Sequence, residues 1–188
     1  MYEEVALIGL ALWIGLPAWI TNSTPVIFGG GRPIDGGRFL RDGHRILGDG
    51  KTIRGFIAGV VCGTLTALAQ YLAAPFVRIE MENYIVVTPE MDVILFMGVL
   101  AGFMLSLGTL VGDLVGSFVK RRANLKSGAP SPVLDQLGFI IMALIFAAPF
   151  FAPSPSYPAV AVLFVMTFLV HYISNVGGYL LGVKEHPW

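Results

Sequence analysis

Residues 112–139 read GDLVGSFVKRRANLKSGAPSPVLDQLGF, and the order of properties along this stretch sets the fold class. An apolar run ends at Lys120, Arg121 and Arg122, a segment holding Gly128, Pro130 and Pro132 follows, and Asp135 opens a second apolar run. Glycine and proline at that density stop a helix and turn the chain. The stretch reads as one membrane helix leaving the bilayer, a short polar excursion and a second helix re-entering. Within it, Asp113, Ser117, Lys120 and Arg121 stand at i, i+4, i+7 and i+8, a spacing that puts them on one helical face.

The rest of the chain repeats this alternation. Its residues are 55% hydrophobic and only 13% charged, outside the balance of a soluble domain. A helix needs about 20 mostly apolar residues to cross a bilayer, and five windows qualify, at roughly 5–28, 55–77, 93–118, 135–152 and 159–182. The expected fold is all-α: one polytopic membrane domain over residues 1–188 with five spans. The fourth window is short, and Pro149, Pro153, Pro155 and Pro158 mark the turn after it. The first follows Met-Tyr-Glu-Glu with no basic leader and no small-residue cleavage site, so it is expected to stay as a span. Cys62 is single and apolar in context, which excludes an intramolecular disulfide and favours a buried thiol.

The cations orient the chain. Segment 29–54 holds Arg32, Arg38, Arg41, Arg45, Lys51 and Arg54, and segment 119–134 holds Lys120, Arg121, Arg122 and Lys126. With five spans both loops share a side with Lys184, while Arg78 faces the other side beside Glu3, Glu4, Glu80, Glu82, Glu90 and Asp92. The excess of Lys and Arg predicts that the two loops are cytoplasmic and the N-terminus outside. Formal net charge is zero, so no overall field favours nucleic acid.

A carboxylate inside an apolar span is costly, roughly 2.5–3.5 kcal/mol at the bilayer centre, so Asp113 needs a partner. The basic triplet alone reads as a snorkelling anchor for headgroups; Asp113 and Ser117 on the same face do not fit that reading. The Pro-rich turn can bring Asp135 back towards Asp113. Two carboxylates beside several cations suit Mg²⁺-bound polyphosphate, with oxygen ligands on the hard metal and Lys and Arg on the phosphates. Asp49 is a further metal candidate. Arg45, Lys51, Thr52, Ser117, Lys120, Arg121, Arg122 and Lys126 are the candidate phosphate contacts, and Lys51 and Lys120 join the two aspartates as candidate catalytic groups. His44, His171 and His186 show no close ligand spacing. His171 and Asn175, one turn apart in the fifth window, either line the pocket or bond between helices, the latter being the stronger expectation.

The first loop, GGGRPIDGGRFLRDGHRILGDGKTIRG, adds Gly-rich backbone and the GDGKT of residues 48–52. It is not a Walker A loop, since Arg45 stands where that motif needs glycine and no strand precedes it. It also lacks the Ala-Arg pair and spaced carboxylates of the CDP-alcohol phosphotransferases. A small membrane transporter or channel for an anionic solute is the alternative from another class. Against it, the ionisable residues gather at one face and no inverted repeat is visible.

Taken together, SFVKRRANLK, the preceding Gly112-Asp113, the later Asp135 and Lys51-Thr52 resemble the signature of the CTP-dependent phosphatidate cytidylyltransferases, the CDP-diacylglycerol synthases. The His-Gly-Gly of that signature is absent, Gln136 replaces its arginine and Gly138 stands where a second aspartate would be. The stretches DGHRILGDGKTIRG, PSPVLDQLGF and HYISNVGGYLLGVKEHPW are more similar to the archaeal branch, the CDP-archaeol synthases, over nearly the whole chain. That resemblance implies cytidylyl transfer from CTP to an isoprenoid glycerol ether phosphate at the cell membrane, with Mg²⁺ and release of pyrophosphate.

Overall fold

The computed structural model describes residues 2–125 and 131–182. The expectations resting on Lys126, Gly128, Pro130, Lys184 and His186 lie outside these residues. The described chain forms α1 (Tyr2–Phe28), α2 (Ile53–Glu82), the short α3 (Pro89–Leu95), α4 (Val99–Arg122), α5 (Pro132–Ala147) and α6 (Tyr157–Leu180), with one 3-10 turn at Ala148–Phe150. Four helices among the described residues, over Glu4–Phe28, Ile53–Glu82, Val99–Arg122 and Tyr157–Leu180, are long and apolar enough to cross a membrane. The fourth sequence window is the shorter apolar helix Leu134–Phe150.

Helix packing depends on small residues. Lipid tails are as apolar as leucine, so helices in a bilayer associate by close van der Waals approach. The buried stripe of α2 is Gly55, Gly59, Gly63, Ala67, Gln70 and Ala74, one residue per turn, and it lies between α1 and α4. At Gly63 an added Cβ would overlap the hydroxyls of Thr21 on α1 and Ser106 on α4. On α4, a Cβ at Gly112 would sit 2.8 Å from the Gly138 carbonyl oxygen and 2.8 Å from Phe139 Cα on α5. Leu10, Ile14, Leu105, Ile140 and Leu163 fill the centre, while Leu16, Ile57, Val61, Leu72, Phe76 and Leu169 stay exposed on the outside. An apolar exterior of that extent is what a bilayer covers.

The third window departs from the sequence expectation of one helix over 93–118. The chain ends α3 at Leu95 and restarts α4 at Val99, with Gly98 as N-cap in extended conformation. Hydrogen bonds mark both ends of α3. Thr88 Oγ1 accepts from Met91 N (3.3 Å) to start α3, and Trp13 Nε1 on α1 donates to the Leu95 carbonyl (3.2 Å) where α3 ends. The helix then runs on to Arg122, so Lys120, Arg121 and Arg122 form its last turn, where cations complement the helix dipole.

The elements leave the bundle with two unlike ends. The C-termini of α1, α4 and α6, the N-termini of α2 and α5 and loop 29–52 meet at one end. The other end carries an acidic network, in which Arg78 pairs with Asp92 (2.7 Å) and Glu82 (2.5 Å) and Ser156 N donates to Glu90 (2.8 Å).

Candidate active site at the cation-rich end

Loop 29–52 is folded around one carboxylate. Asp35 is buried, and its oxygens accept from Gly37 N (3.0 Å), Leu47 N (3.0 Å) and Gly48 N (3.1 Å) and from Arg45 Nη2 (3.0 Å) and Nε (3.2 Å). Burial alone would raise its pKa, but the Arg45 guanidinium and the three N–H donors outweigh it and hold the carboxyl well below the usual carboxylate range. Gly37 (φ +80°) and Gly48 (φ +122°) adopt backbone that side chains rarely tolerate, which aims their N–H groups at Asp35. The two ends of the loop close on each other through Ile34 N to Lys51 O (2.8 Å) and Ile53 N to Arg32 O (3.1 Å). Thr52 then caps α2, its hydroxyl accepting from Gly55 N (3.2 Å).

This closure sends Lys51 across to α4. Its Nζ bonds both oxygens of Asp113, at 2.7 and 2.6 Å, and each side chain keeps 29% of its surface exposed. A second pair lies at the same end of the bundle on the α4–α5 hairpin, where Lys120 Nζ meets Asp135 Oδ1 at 2.6 Å. Asp135 also accepts from Ser131 N (2.9 Å) in the first turn of α5, where negative charge is favoured. The backbones of α4 and α5 touch at Gly112, next to Asp113, and at Phe139, one turn beyond Asp135. Ser117 and Arg121 are buried on the same stripe of α4.

Three residues expected to hold phosphate or metal are directed elsewhere. Arg45 is held by Asp35 and by Asp49 (2.8 Å), so the loop's own carboxylates occupy its guanidinium. Asp49, expected as a metal ligand, keeps 81% of its side chain exposed and faces Arg45 rather than Asp113 or Asp135. Arg122 pairs with Asp42 (3.1 Å), donates to the Arg45 carbonyl (2.6 Å) and lies over Phe118 at 5.0 Å, which straps the loop to α4. In each case an opposite charge within or against the folded loop neutralises the group. Asp35 was not singled out from the sequence as a site residue; its signal is the Asp-Gly-Gly run, where a side chain bonds the backbone two residues on.

The donor set fits a hard divalent cation. Among the described residues no three His, Cys, Asp or Glu side chains cluster to form a protein cage. Mg²⁺ usually takes one or two carboxylates and completes its shell with water and substrate phosphates, which Asp113 and Asp135 can serve.

A sequence profile described as "CarS-like: CDP-archaeol synthase" matches residues 4–188. The chain belongs to the CDP-archaeol synthase family. Relatives named CDP-archaeol synthase include those of Thermococcus gammatolerans, 49% identical over 178 residues, and Thermococcus kodakarensis, 48% identical over 178 residues; each match covers 95% of both chains. The Methanopyrus kandleri CDP-archaeol synthase is 43% identical over 183 residues, 96% of this chain and 94% of its own. A solved structure described as "Structural insight into an intramembrane enzyme for archaeal membrane lipids biosynthesis" superposes with a TM-score of 0.69 at 35% identity, covering 88% of this chain and 92% of the other. This CDP-archaeol synthase family member is therefore an all-α, multi-pass membrane protein.

Proposed function

We propose that the Lys51–Asp113 and Lys120–Asp135 pairs form the site at which this chain transfers a cytidylyl group from CTP to an isoprenoid glycerol ether phosphate, giving CDP-archaeol and pyrophosphate. CDP-archaeol synthase activity in archaeal membrane-lipid biosynthesis follows from the family. The observation that carries the site is the convergence of two Lys–Asp pairs from loop 29–52, α4 and α5 at one end of the bundle.

The reaction needs little covalent work from the protein. An oxygen of the lipid phosphate attacks the α-phosphorus of CTP, the bond to the β-phosphate oxygen breaks, and pyrophosphate leaves with both electrons of that bond. Catalysis is then alignment plus neutralisation of charge on the phosphates. Bound Mg²⁺, held by Asp113 and Asp135, would supply Lewis acidity to the phosphate oxygens. Lys51 and Lys120 hold those carboxylates in place and turn their N–H donors to phosphate when CTP enters. Arg121 and Ser117 lie on the same stripe and contribute donors, with Lys126 a further cation from the segment between α4 and α5. Arg45, Arg122 and Thr52 serve the site by ordering the loop that presents Lys51.

In the membrane we place five crossings, with α5 as the short one. Its 16 residues span about 24 Å, so the bilayer thins locally or the flanks complete the crossing. The cation-rich end faces the cytoplasm and the N-terminus faces outside. Purified protein in detergent, given CTP, Mg²⁺ and an ether lipid phosphate, is expected to release pyrophosphate; EDTA should stop release and added Mg²⁺ restore it. Asp113→Asn and Asp135→Asn should each lower kcat by on the order of 10²–10³. Full activity in either variant would remove that residue from the metal site.

A further inference from the structure

A groove of about 240 Å³ runs between α1 and α6. Ser23, Val26 and Ser174 on its rim are exposed, while Phe139 and Asn175 form a buried floor. At its inner end Trp19 Nε1 donates to Thr167 Oγ1 (3.2 Å) and ties the two helices together. The lining runs along α1 from Ile27 back to Trp19, eight residues or about 12 Å. A hydrocarbon core is about 30 Å thick. The groove therefore descends from the cation-rich end to near the bilayer midplane, the depth of a single leaflet.

Two features identify an occupant. The first is continuity with the site. Phe139 stacks on His171 (centroids 6.4 Å apart), lies one turn after Asp135 on α5, and has its Cα against the Gly112 position that precedes Asp113. The second is the distribution of polarity. Asn22 and Ser174 offer N–H and O–H donors part-way along the groove, between a deep wall of Trp19, Phe139 and Val170 and a mouth of Val26, Ile27, Gly178 and Leu181. Polar side chains in a wall open to lipid are costly unless a polar group meets them. An ether oxygen accepts hydrogen bonds and cannot donate them, so amide and hydroxyl donors suit it.

We propose that the α1–α6 groove is the acceptor subsite, holding one isoprenoid chain of the lipid phosphate with the glycerol ether oxygens beside Asn22 and Ser174. This rests on the cytidylyl-transfer reading above. The phosphate is thereby carried to the Lys120–Asp135 end while the second chain stays in the bilayer. Chain selectivity then resides in α1 and α6, away from the residues that handle CTP.

The test compares long isoprenoid and short alkyl glycerol ether phosphates as acceptors. Ser174→Trp and Val26→Trp, which fill the rim, should raise KM for the long-chain acceptor at least tenfold, with KM for CTP within twofold of wild type. Ile173→Trp, on the exposed neighbouring face of α6, should leave the long-to-short preference unchanged. An unmoved lipid KM in both rim variants, or an equal shift in KM for CTP, overturns the subsite. On the wild-type protein, a long-chain lipid phosphate bearing a photoreactive chain should label α1 and α6, and unlabelled acceptor should suppress the adduct. Labelling spread over the other helices, or equal labelling by a dialkylglycerol without phosphate, shows annular lipid only and overturns it as well. Absence of pyrophosphate release by wild type with every acceptor would sink the transfer reading; normal turnover with an unmoved lipid KM sinks only the groove assignment.

Discussion

Asp35 does no chemistry in this reading, yet it decides where Lys51 stands. Its carboxylate gathers Gly37, Leu47, Gly48 and Arg45 in a loop with little apolar content of its own. The pH dependence follows from the depressed pKa. Between the folded pKa and the unfolded value of about 3.9, the unfolded chain binds more protons than the folded one, so stability rises with pH across that window. The contribution of Asp35 is complete above the unfolded pKa and is lost as pH falls through the folded one. Proteolysis of loop 29–52 should thus be slow and flat from about pH 5 to 8 and accelerate only in stronger acid. Asp35→Asn should be cut readily at neutral pH, and protection equal to wild type there would refute the role. At this scale the sequence shows that Asp113 needs a partner, whether a cation, a polar cavity or a metal, because a lone carboxylate in an apolar helix is costly. It does not show that Arg45 is spoken for. That pairing depends on turns made by Gly36, Gly37 and Gly48, and it leaves Asp49 facing the same guanidinium.

Among the elements, the α4–α5 hairpin bears the greatest geometric demand, since it carries both carboxylates. A methyl group at Gly112 would press on the Gly138 carbonyl and Phe139 Cα, backbone atoms that cannot swing aside. Gly112→Ala should destabilise the protein by about 1–3 kcal/mol and depress activity by displacing Asp113. Gly138→Ala is the control, because its added Cβ meets only Leu134 Cδ1 at 4.0 Å. Thermal unfolding in detergent compares the two, and equal Tm values would refute the packing argument. The long helices are legible because their hydropathy is continuous and their ends carry charge or proline. The break at 96–98 is not, since Phe96, Met97 and Gly98 continue an apolar run and only the Trp13–Leu95 bond from a distant helix reveals the stop. Thr52 is half legible: a hydroxyl before Ile53 can be a phosphate ligand or a helix cap, and in the structure it accepts from Gly55 N as the cap of α2.

For the whole molecule, the separation of basic and acidic ends gives a topological prediction. After Cys62→Ser, single cysteines at the exposed positions Phe39 and Val86 report opposite faces of the membrane. In intact cells an impermeant thiol reagent should label Val86→Cys and spare Phe39→Cys until the membrane is opened; the reverse pattern would invert the orientation. The cation-rich end of the bundle was legible from the clustering of charge in loops 29–54 and 119–134. The groove between α1 and α6 was not, because it depends on how two helices far apart in sequence meet at Trp19 and Thr167. Its trace is the His171–Asn175 spacing, which points more strongly to interhelical bonding. In the proposed site the two Lys–Asp pairs would also act as a filter. A lone phosphate or sulfate would engage one lysine only by taking it from its aspartate, so the internal counter-ions would compete against simple anions. A triphosphate arriving with its divalent cation would satisfy both members of each pair at once, so selectivity against the cell's bulk anions would be built into the resting charge balance.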